Sequence, residues 1–279
     1  MLTAVPGRLL LCATPIGNLS DASDRLRTAL LSADMIYAED TRRAAKLLQA
    51  LGVSTGVRSY FVGNEERRAI ELRERLEAGE TVAVISDAGM PAIADPGLTA
   101  VRAALAADAE VSAVPGPSAV TTALAVSGLP AERFVFEGFL PRKAGERKAR
   151  FKELAAETRT TVLFSGKAHV VADLADLAKN VGGHRTIVVA RELTKLYEEV
   201  WRGTLNEAVA HWSSRDVRGE FTLVLGGAEQ ARTNIDQVVA EVRDAVVTGE
   251  SMADAVRRIA SESGVSRRQL YQAVLDVQE

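Results

Sequence analysis

The chain has 279 residues, of which 47% are hydrophobic and 25% are charged, and its formal net charge at pH 7 is −3. This length is enough for about two domains, each with its own core. The slightly acidic balance argues against a protein that holds nucleic acid by its overall charge, although it allows a local basic patch. The one cysteine, Cys12, excludes a disulfide framework and fits a reducing cytoplasm, where we expect the protein to act.

Neither a metal site nor a membrane segment is predicted. Three scattered histidines and one cysteine cannot form a Cys/His zinc cluster. No apolar run reaches the ~18 residues that a membrane span needs. The apolar N-terminal stretch has Arg8 at its front and is interrupted by Gly and Pro, so it predicts a first strand rather than a signal peptide.

Strand-like and helix-like segments alternate along the first 116 residues. Short runs rich in Val, Ile and Leu predict strands at 8–13, 34–38, 57–60, 81–85 and 111–114. Helical spacing predicts helices at 21–31, 41–51, 65–78 and from 98 onwards. In the third helix we expect Ile70, Leu72 and Leu76 to face inward. Continuous apolar strands that alternate with helices are typical of a parallel sheet covered on both faces, so 1–116 is predicted to be an α/β domain.

A second α/β domain is predicted over 117–231. Its strands are expected at 134–138, 160–164, 185–190, 199–203 and 221–225. The later strands are closely spaced in the sequence, which favours antiparallel pairing. Residues 232–279 are predicted to form a small helical appendage, with capping patterns of Ser251 with Asp254 and of Ser266 with Gln269.

The apolar spacing in this appendage looks like a helix-turn-helix. Its basic residues and their balancing acids are Arg257, Arg258, Arg267 and Arg268 against Asp254, Glu262, Asp276 and Glu279. Because the charges balance, sequence-specific reading of DNA is not expected, and no DNA or membrane partner is predicted. A structural or RNA-docking role is the better hypothesis.

Three loops rich in Gly and Pro follow the first, fourth and fifth strands. They read TPIGN (14–18), SDAGMPAIADPG (86–97) and VPGPSA (114–119). They share the sheet edge at which open α/β folds bind ligands, and such loops bring stiff, bare main chain close to a ligand. For 86–97 the alternative is an ordinary strand–helix connection, capped by Asp95 with Pro96 in the first helical position.

A fourth turn, AEDTRR (38–43), ends the second strand at the same edge. Its carboxylates are suited to ribose hydroxyls or to a cation, but a helix cap at Asp40 or Thr41 is the favoured interpretation. The usual nucleotide motifs do not occur, since the sequence contains neither G-x-G-x-x-G nor the phosphate-loop pattern.

Taken in chain order, TPIGNL, AEDTRR, SDAGMPAIADPG and PGPSA resemble the tetrapyrrole-methylase-like methyltransferases that use S-adenosylmethionine. GLPAERFVFEGFLPRK (128–143) and ARELTK (190–195) look like the branch that methylates a cytidine 2′-hydroxyl in 16S rRNA. The resemblance implies two α/β domains with S-adenosylmethionine in the cleft between them, and 16S rRNA or the small ribosomal subunit as partner. We also expect a homodimer. The alternatives are a relative that methylates a tetrapyrrole or another small substrate and a non-catalytic ribosome assembly factor.

The resemblance also implies where the ligands bind. The cofactor is expected at Asp87, Ala88, Gly89, Met90, Pro91, Ile93, Pro115, Gly116, Ser118, Ala119, Arg191 and Glu192. The substrate is expected at Thr14, Pro15, Gly17, Asn18, Arg42, Arg147, Lys148 and Arg150. The last three belong to the basic segment 141–150, which we expect to lie between the two domains as a hinge and to contact RNA phosphates.

The expected reaction needs no metal, because the sulfonium of the donor is already a good leaving group. The enzyme must align the reacting groups, exclude water and take a proton from a weakly acidic ribose hydroxyl. A carboxylate or a lysine can accept that proton. The candidate bases are Glu39, Asp40, Lys195 and Glu220, and the sequence does not choose among them.

The sequence departs from the family pattern at several places. The usual histidines are missing from 60–65, and His169 alone survives from another motif at 164–170. Met90 and Ala94 stand where the family usually has hydroxyl side chains. These changes concern substrate contacts more than cofactor binding.

Overall fold

The first half of the chain forms one parallel sheet. In the computed structural model, which describes residues 6–229 and 235–276, its strands are β1 (Arg8–Cys12), β2 (Met35–Ala38), β3 (Val57–Ser59), β4 (Thr81–Ile85) and β5 (Glu110–Val114). Their order is β3-β2-β4-β1-β5. The strands before the three Gly/Pro loops, β4, β1 and β5, are therefore direct neighbours, so the loops emerge side by side. The predicted parallel α/β arrangement is confirmed.

Helices cover both faces of this sheet. They are α1 (Asp24–Ser32), α2 (Thr41–Leu51), α3 (Glu65–Glu77) and α4 (Leu98–Ala106). Because side chains alternate along a strand, Leu10 and Cys12 pack in the core with α1 and α2, whereas Leu9 packs with α3 and α4. Burial raises the pKa of the Cys12 thiol to about 12, so this cysteine is a core residue and not a nucleophile.

One side chain of α3 was assigned to the wrong face. Leu72 and Leu76 are fully buried, as expected, but Ile70 is 63% exposed. Successive helical residues are about 100° apart, so a residue two positions before Leu72 lies on the opposite side of the helix. The spacing of Leu72 and Leu76, four residues apart, defines the core face.

The start of α4 decides between the two interpretations of loop 86–97. The helix begins at Leu98 with Gly97 as its N-cap. Asp95 is therefore not the N-cap, and Pro96 is not the first helical residue, as the ordinary strand–helix connection would require. At the other turn the favoured interpretation is confirmed, because Asp40 caps α2.

The second sheet is mixed. Its strands are β6 (Phe134–Phe139), β7 (Thr160–Gly166), β8 (Thr186–Arg191), β9 (Glu199–Thr204) and β10 (Glu220–Leu225). Their order is β6-β7-β10-β8-β9. β6 and β7 are parallel, and the other neighbours pair antiparallel, as the close spacing predicted. The accompanying helices are α5 (Ala119–Ser127), α6 (Ala144–Ala156), α7 (Val170–Leu177) and α8 (Leu205–Ser213).

The two faces of this sheet pack on different partners. Helices α6, α7 and α8 cover one face. On the other face, Val162 and Val224 pack with Leu124 of α5 and with Ile16 from the TPIGN loop of the first domain. This contact places the first Gly/Pro loop directly against the second sheet.

The basic segment 141–150 is not a hinge, contrary to the expectation. It leads into α6, which packs into the second domain through Phe151 and Leu154. The chain instead passes between the two sheets through 115–118 and α5. A run of charges resembles a solvated linker, but the two apolar residues that follow it fix the whole helix to the core.

Carboxylates of the second domain hold the arginines of α6. Arg147 donates to Asp173 at 2.9 Å and to Asp176 at 2.7 Å. Arg150 pairs with Glu137 at 2.8 Å. Asp173 is fully buried, so its bond to Arg147 is part of the domain interior rather than of the surface.

The C-terminal unit, which is separate from the part of the chain that ends at Gly227, is helical where it is described, as predicted. Its helices are α9 (Ile235–Val247), α10 (Met252–Ser263) and α11 (Arg267–Asp276). Ser251 caps α10 by accepting from Asp254 N at 3.2 Å, as its sequence pattern predicted. The predicted boundary at 231/232 and Glu279 lie outside the described residues. No helix in the described ranges is long and apolar enough to cross a membrane.

Removing Asp173 should destabilise the second domain. The Asp173→Ala variant leaves the Arg147 side chain, which is 14% exposed, without its buried partner. We expect the free energy of unfolding to fall by about 3 kcal/mol, because Arg147 loses its buried partner and the buried Ser165 hydroxyl, which donates to Asp173 at 2.6 Å, loses its acceptor. Asp176→Ala removes the 44% exposed partner of the same arginine and should cost less than about 1 kcal/mol. Urea denaturation of both variants measures the difference, and equal losses would contradict the role given to Asp173.

Candidate active site

Two of the Gly/Pro loops are joined by a short β-bridge. Thr14 N donates to Gly89 O at 2.9 Å, and Gly89 N donates to Thr14 O at 3.1 Å. The buried hydroxyl of Thr14 also donates to Ser86 O at 3.2 Å. These bonds satisfy main-chain groups of both loops from within and hold the loops together as one wall.

Loop 86–97 has an unusual backbone conformation. Gly89 has a φ of +81°, and Ala92 and Ala94 have φ angles of +69° and +62°. This left-handed region costs a residue with a Cβ roughly 1–2 kcal/mol, and such strain is concentrated at functional sites. Ala92 N donates to Pro96 O at 3.1 Å, which closes the loop on itself. The backbone therefore favours a ligand cradle over an ordinary connection.

A cavity of about 370 Å³ lies between these loops and the second sheet, and we call it the first cavity. Loop 86–97 and the start of α5 form one wall, and the ends of β7, β8 and β10 contribute to the other. The residues expected to hold the cofactor that line it are Asp87, Ala88, Gly89, Met90, Ile93, Ser118, Ala119 and Glu192. Eight of the twelve residues expected at the cofactor therefore line this cavity.

The remaining residues expected to hold the cofactor are not among those that line the first cavity. They are Pro91, Pro115, Gly116 and Arg191. Gly116 packs against the end of β1, where a Cβ at this position would lie 3.0 Å from Ala13 Cβ. Arg191 donates to Arg218 O at 2.7 Å and so supports the loop that leads into β10. The structure gives these two residues a supporting role.

Several residues of the first cavity were missed by sequence reasoning. They include Phe139, Phe164, Ser165, Leu193, Thr222, Asp95 and Arg43. The residues in strands look like ordinary core positions in the sequence. The alternation of side chains along a strand shows that it has two faces, but it does not show which face borders a cleft. The sequence offers Asp95 as a helix cap, whereas the structure places it in the cavity wall.

A second cavity of about 410 Å³ adjoins the first. It is lined by the TPIGN loop, the end of β2 and the first turns of α2. The predicted substrate or catalytic residues in its walls include Thr14, Pro15, Gly17 and Asp40. Residues that line both cavities are Ile16, Arg43, Asp87, Ala88, Lys195 and Glu220. The two cavities therefore meet along a shared wall.

The other predicted substrate residues lie outside this wall. They are Asn18, Arg42, Arg147, Lys148 and Arg150. Asn18 caps a short 3₁₀ turn by accepting from Ser20 N at 3.0 Å. Arg42 clamps Asp40 through two nitrogens, at 3.2 and 2.9 Å. The three residues of α6 line neither cavity.

Lys195 is fixed at the shared wall by two carboxylates. Its Nζ lies 2.8 Å from Glu192 Oε1 and 2.9 Å from Glu220 Oε2. Burial lowers the pKa of Lys195, but the hydrogen bonds and charges of Glu192 and Glu220 outweigh burial and raise it above its usual value. Gly17 leaves room for this side chain, because a Cβ there would lie 2.4 Å from Lys195 Cγ. The site therefore holds a fixed ammonium group.

Three of the carboxylates that line the first cavity, Glu39, Asp87 and Asp95, lie near one another. Asp87 N donates to Glu39 Oε2 at 3.4 Å, and the Asp87 carboxylate pairs with Arg43 at 3.1 Å. Burial, followed by the charge of Asp87, raises the pKa of Glu39. Burial and the charges of Glu39 and Asp87 also raise the pKa of Asp95 to about 6. These shifts indicate a region of negative potential, which suits a cationic ligand.

The carboxylates are not arranged as a metal site. In the part of the chain that the structure describes, no group of three or more His, Cys, Asp or Glu side chains is placed to hold a metal ion.

The comparison with protein families agrees with this geometry. A family model described as Tetrapyrrole (Corrin/Porphyrin) Methylases matches residues 8–209, which include the whole first sheet and four strands of the second. The chain belongs to this family. As a tetrapyrrole methylase it is a methyltransferase, and its methyl donor is S-adenosylmethionine.

Curated relatives of this tetrapyrrole methylase match it over nearly its full length. One from Mycobacterium tuberculosis (strain CDC 1551 / Oshkosh) is 48% identical and covers 96% of this chain and 95% of the relative. One from Synechocystis sp. is 42% identical, with 98% and 99% covered. Both are named Ribosomal RNA small subunit methyltransferase I.

Solved structures show the same tetrapyrrole methylase fold. The methyltransferase CobJ superposes with a TM-score of 0.61 at 20% identity, covering 80% of this chain and 95% of that one. Uroporphyrin-III-C-methyltransferase from Thermus thermophilus superposes with a TM-score of 0.57 at 17% identity, covering 79% and 94%. At these identities the likeness concerns the fold alone.

The raised pKa of Asp95 predicts a pH-dependent gain of stability in the Asp95→Asn variant. With a folded pKa of about 6 and an unfolded value of about 3.9, the native state binds the proton more tightly. The wild type therefore loses stability as the pH rises from about 4 to 6. We expect the variant to melt about 2–4 °C above wild type at pH 8 and to show no such gain at pH 4.

Thermal melts at the two pH values check this expectation. The matched control is Asp216→Asn, because Asp216 is an exposed carboxylate paired with Arg218 outside both cavities. It should change the melting temperature by the same small amount at both pH values. A gain for Asp95→Asn that is equal at pH 4 and pH 8 would show that Asp95 is not held in a negative field.

Proposed function

We propose that the protein transfers the methyl group of S-adenosylmethionine to the 2′-hydroxyl of a cytidine in 16S rRNA of the small ribosomal subunit. The observation that carries the proposal is the pair of cavities with a shared wall, one for the donor and one for the acceptor. The relatives' names support rRNA of the small subunit as the substrate. Their nearly complete coverage means that the match includes the site and the C-terminal helices alike.

The first cavity fits S-adenosylmethionine by charge and by shape. The donor carries two positive groups, a sulfonium and an ammonium, and one carboxylate, so its net charge is positive. Glu39, Asp87 and Asp95 supply the complementary negative potential. Gly89 presents bare main chain, while Phe164 adds an aromatic surface. When bound, the donor supplies an activated methyl group, and the residues of the chain orient it and exclude water.

We assign proton removal to Glu220. Of the four candidate bases, Lys195 and Glu220 line both cavities, whereas Glu39 lines the first and Asp40 the second. Lys195 is an ammonium with a raised pKa, so it has no lone pair with which to accept a proton. A hydrogen bond from Arg42 holds the pKa of Asp40 well below its usual value, which makes this carboxylate a weak base.

Lys195 then acts as a positioning residue for Glu220. Its Nζ lies 2.9 Å from Glu220 Oε2 and is itself held by Glu192 at 2.8 Å. Glu192 Oε1 also accepts from Glu220 N at 2.9 Å, so the main chain and the side chain of Glu220 are both tied to the same cluster. This arrangement directs one carboxylate to the border between donor and acceptor.

The remaining expectations belong to the same proposal. We infer action in the cytoplasm, where ribosomal subunits are assembled, and activity without an added metal. The division into 1–116, 117–231 and 232–279 and the homodimer stay predictions. Light scattering on the purified protein tests the homodimer directly.

Glu220→Gln should lower the turnover number by about 100-fold or more, since it removes the proton acceptor while keeping the side-chain size. The affinity for S-adenosylmethionine should stay within about threefold of wild type. Turnover is measured with labelled donor and small ribosomal subunits, and affinity by calorimetry. Asp216→Asn, an exposed carboxylate outside both cavities, is the control and should keep wild-type turnover. Wild-type turnover of Glu220→Gln would contradict the assignment.

Gly89→Val should strongly reduce the affinity for S-adenosylmethionine. A branched side chain at a φ of +81° forces the loop to change its path beside the first cavity. Gly128→Val is the matched control, because Gly128 has a φ of +77° at the end of α5, where a Cβ would meet nothing within 4 Å. We expect at least a tenfold loss of affinity for the first variant and none for the second, measured by calorimetry. Equal affinities of the two variants, with intact circular dichroism, would exclude loop 86–97 from the cofactor site.

A further inference from the structure

The cations in the wall of the second cavity differ in whether they form ion pairs. They are Arg43, Lys46 and Lys195. Arg43 is paired with Asp87 and Lys195 with Glu220. Lys46 has no hydrogen-bond or ion-pair partner among residues 6–229 and 235–276. Within the described residues its ammonium group is therefore unpaired, whereas the other two cations of the second cavity form ion pairs.

The carboxylates of this wall are also neutralised. Asp40 is clamped by Arg42 at 2.9 Å, in addition to the pairs that Asp87 and Glu220 form. Each lining carboxylate thus pairs with a cation, and Glu220 shares Lys195 with Glu192, whereas Lys46 forms no such pair among the described residues. An anionic group that enters this cavity is drawn to Lys46 rather than to the occupied cations.

The backbone fixes the place of Lys46. Ala44, Leu47 and Leu48 are buried against the first sheet, so α2 cannot rotate, and Lys46 must stay on the exposed side. The N-terminus of α2 offers no competing anion site, because the Asp40 carboxylate already accepts from Arg42 N at 2.8 Å. A ligand phosphate therefore meets a charge on a rigid helix rather than on a mobile loop.

We infer that Lys46 forms a phosphate subsite of the second cavity and binds the RNA phosphate that flanks the target ribose. The inference rests on the proposed function and adds the residue that sets the position of the nucleotide. It also moves the expected phosphate contact from α6 to α2. On α6, Arg147 and Arg150 are engaged by carboxylates, and Lys148 does not line either cavity.

Lys46→Ala tests the subsite. With small ribosomal subunits that lack the modification, KM for the subunits should rise about 5–10-fold at low salt, while kcat at saturation stays within about twofold. The slope of log affinity against log salt should fall by about 0.7–0.9, the change expected for one lost phosphate contact. The affinity for S-adenosylmethionine should be unchanged. Lys46→Arg should restore most of the RNA affinity, because guanidinium also binds phosphate.

The control is Lys179→Ala, because Lys179 is an exposed lysine of the second domain that lines neither cavity and has no partner among the described residues. It should keep the KM and the salt slope of wild type. If Lys46→Ala and Lys179→Ala behave alike on subunits that wild type methylates, the subsite is overturned and the proposed function stands. If wild type itself methylates no small-subunit RNA, the proposed function fails, and the subsite fails with it.

Discussion

The bridge between Thr14 and Gly89 is the interaction on which the site depends. It is possible because β1 and β4 are neighbours, so that the loops after them leave the sheet side by side. Ile16, Asp87 and Ala88, which line both cavities, all lie within two residues of this bridge. If the two loops separated, the shared wall would lose its first-domain half. The strained backbone of loop 86–97 is tolerated because the bridge and the internal hydrogen bonds determine its path.

Charge pairing gives the two cavities different preferences. In the first cavity, Glu39 and Asp95 are carboxylates with raised pKa values, which favours a cationic donor. In the second cavity the carboxylates are paired with cations, while Lys46 is unpaired among the described residues, which favours an anionic acceptor. Lys195 stands between them and holds Glu220 at the border. One continuous cleft can therefore order a positively charged donor and a negatively charged polymer.

The sequence predicted the elements and the loops because these depend on local spacing. Apolar runs located every strand to within two residues at either end, and the Gly/Pro loops marked the edge at which both cavities lie. Ile70 was expected to face inward because it is apolar and close to Leu72 in the sequence. The core side of α3 is instead set by Leu72 and Leu76, which are one helical turn apart.

What the sequence could not give depends on partners that are distant along the chain. The role of α6 was misjudged because its arginines are neutralised by Asp173 and Glu137, which lie outside the basic run. Burial, followed by the charge of Glu39 more than fifty positions away, raises the pKa of Asp95, and Lys46 is distinctive because its neighbours in the cavity are already paired. The properties of Asp95 and Lys46 arise from the order β3-β2-β4-β1-β5 and from the cleft between the sheets, which the sequence pattern does not specify.

The central claim is that donor and ribose meet at the wall shared by the two cavities. The most direct test is to incubate the protein with labelled S-adenosylmethionine and small ribosomal subunits that lack the modification, in parallel with the naked 16S rRNA. Nuclease digestion and mass spectrometry then identify the labelled nucleoside. The predicted result is label in 2′-O-methylcytidine from at least one of the two substrates. Label on a base, or no label in RNA while the protein binds the donor, would contradict the claim.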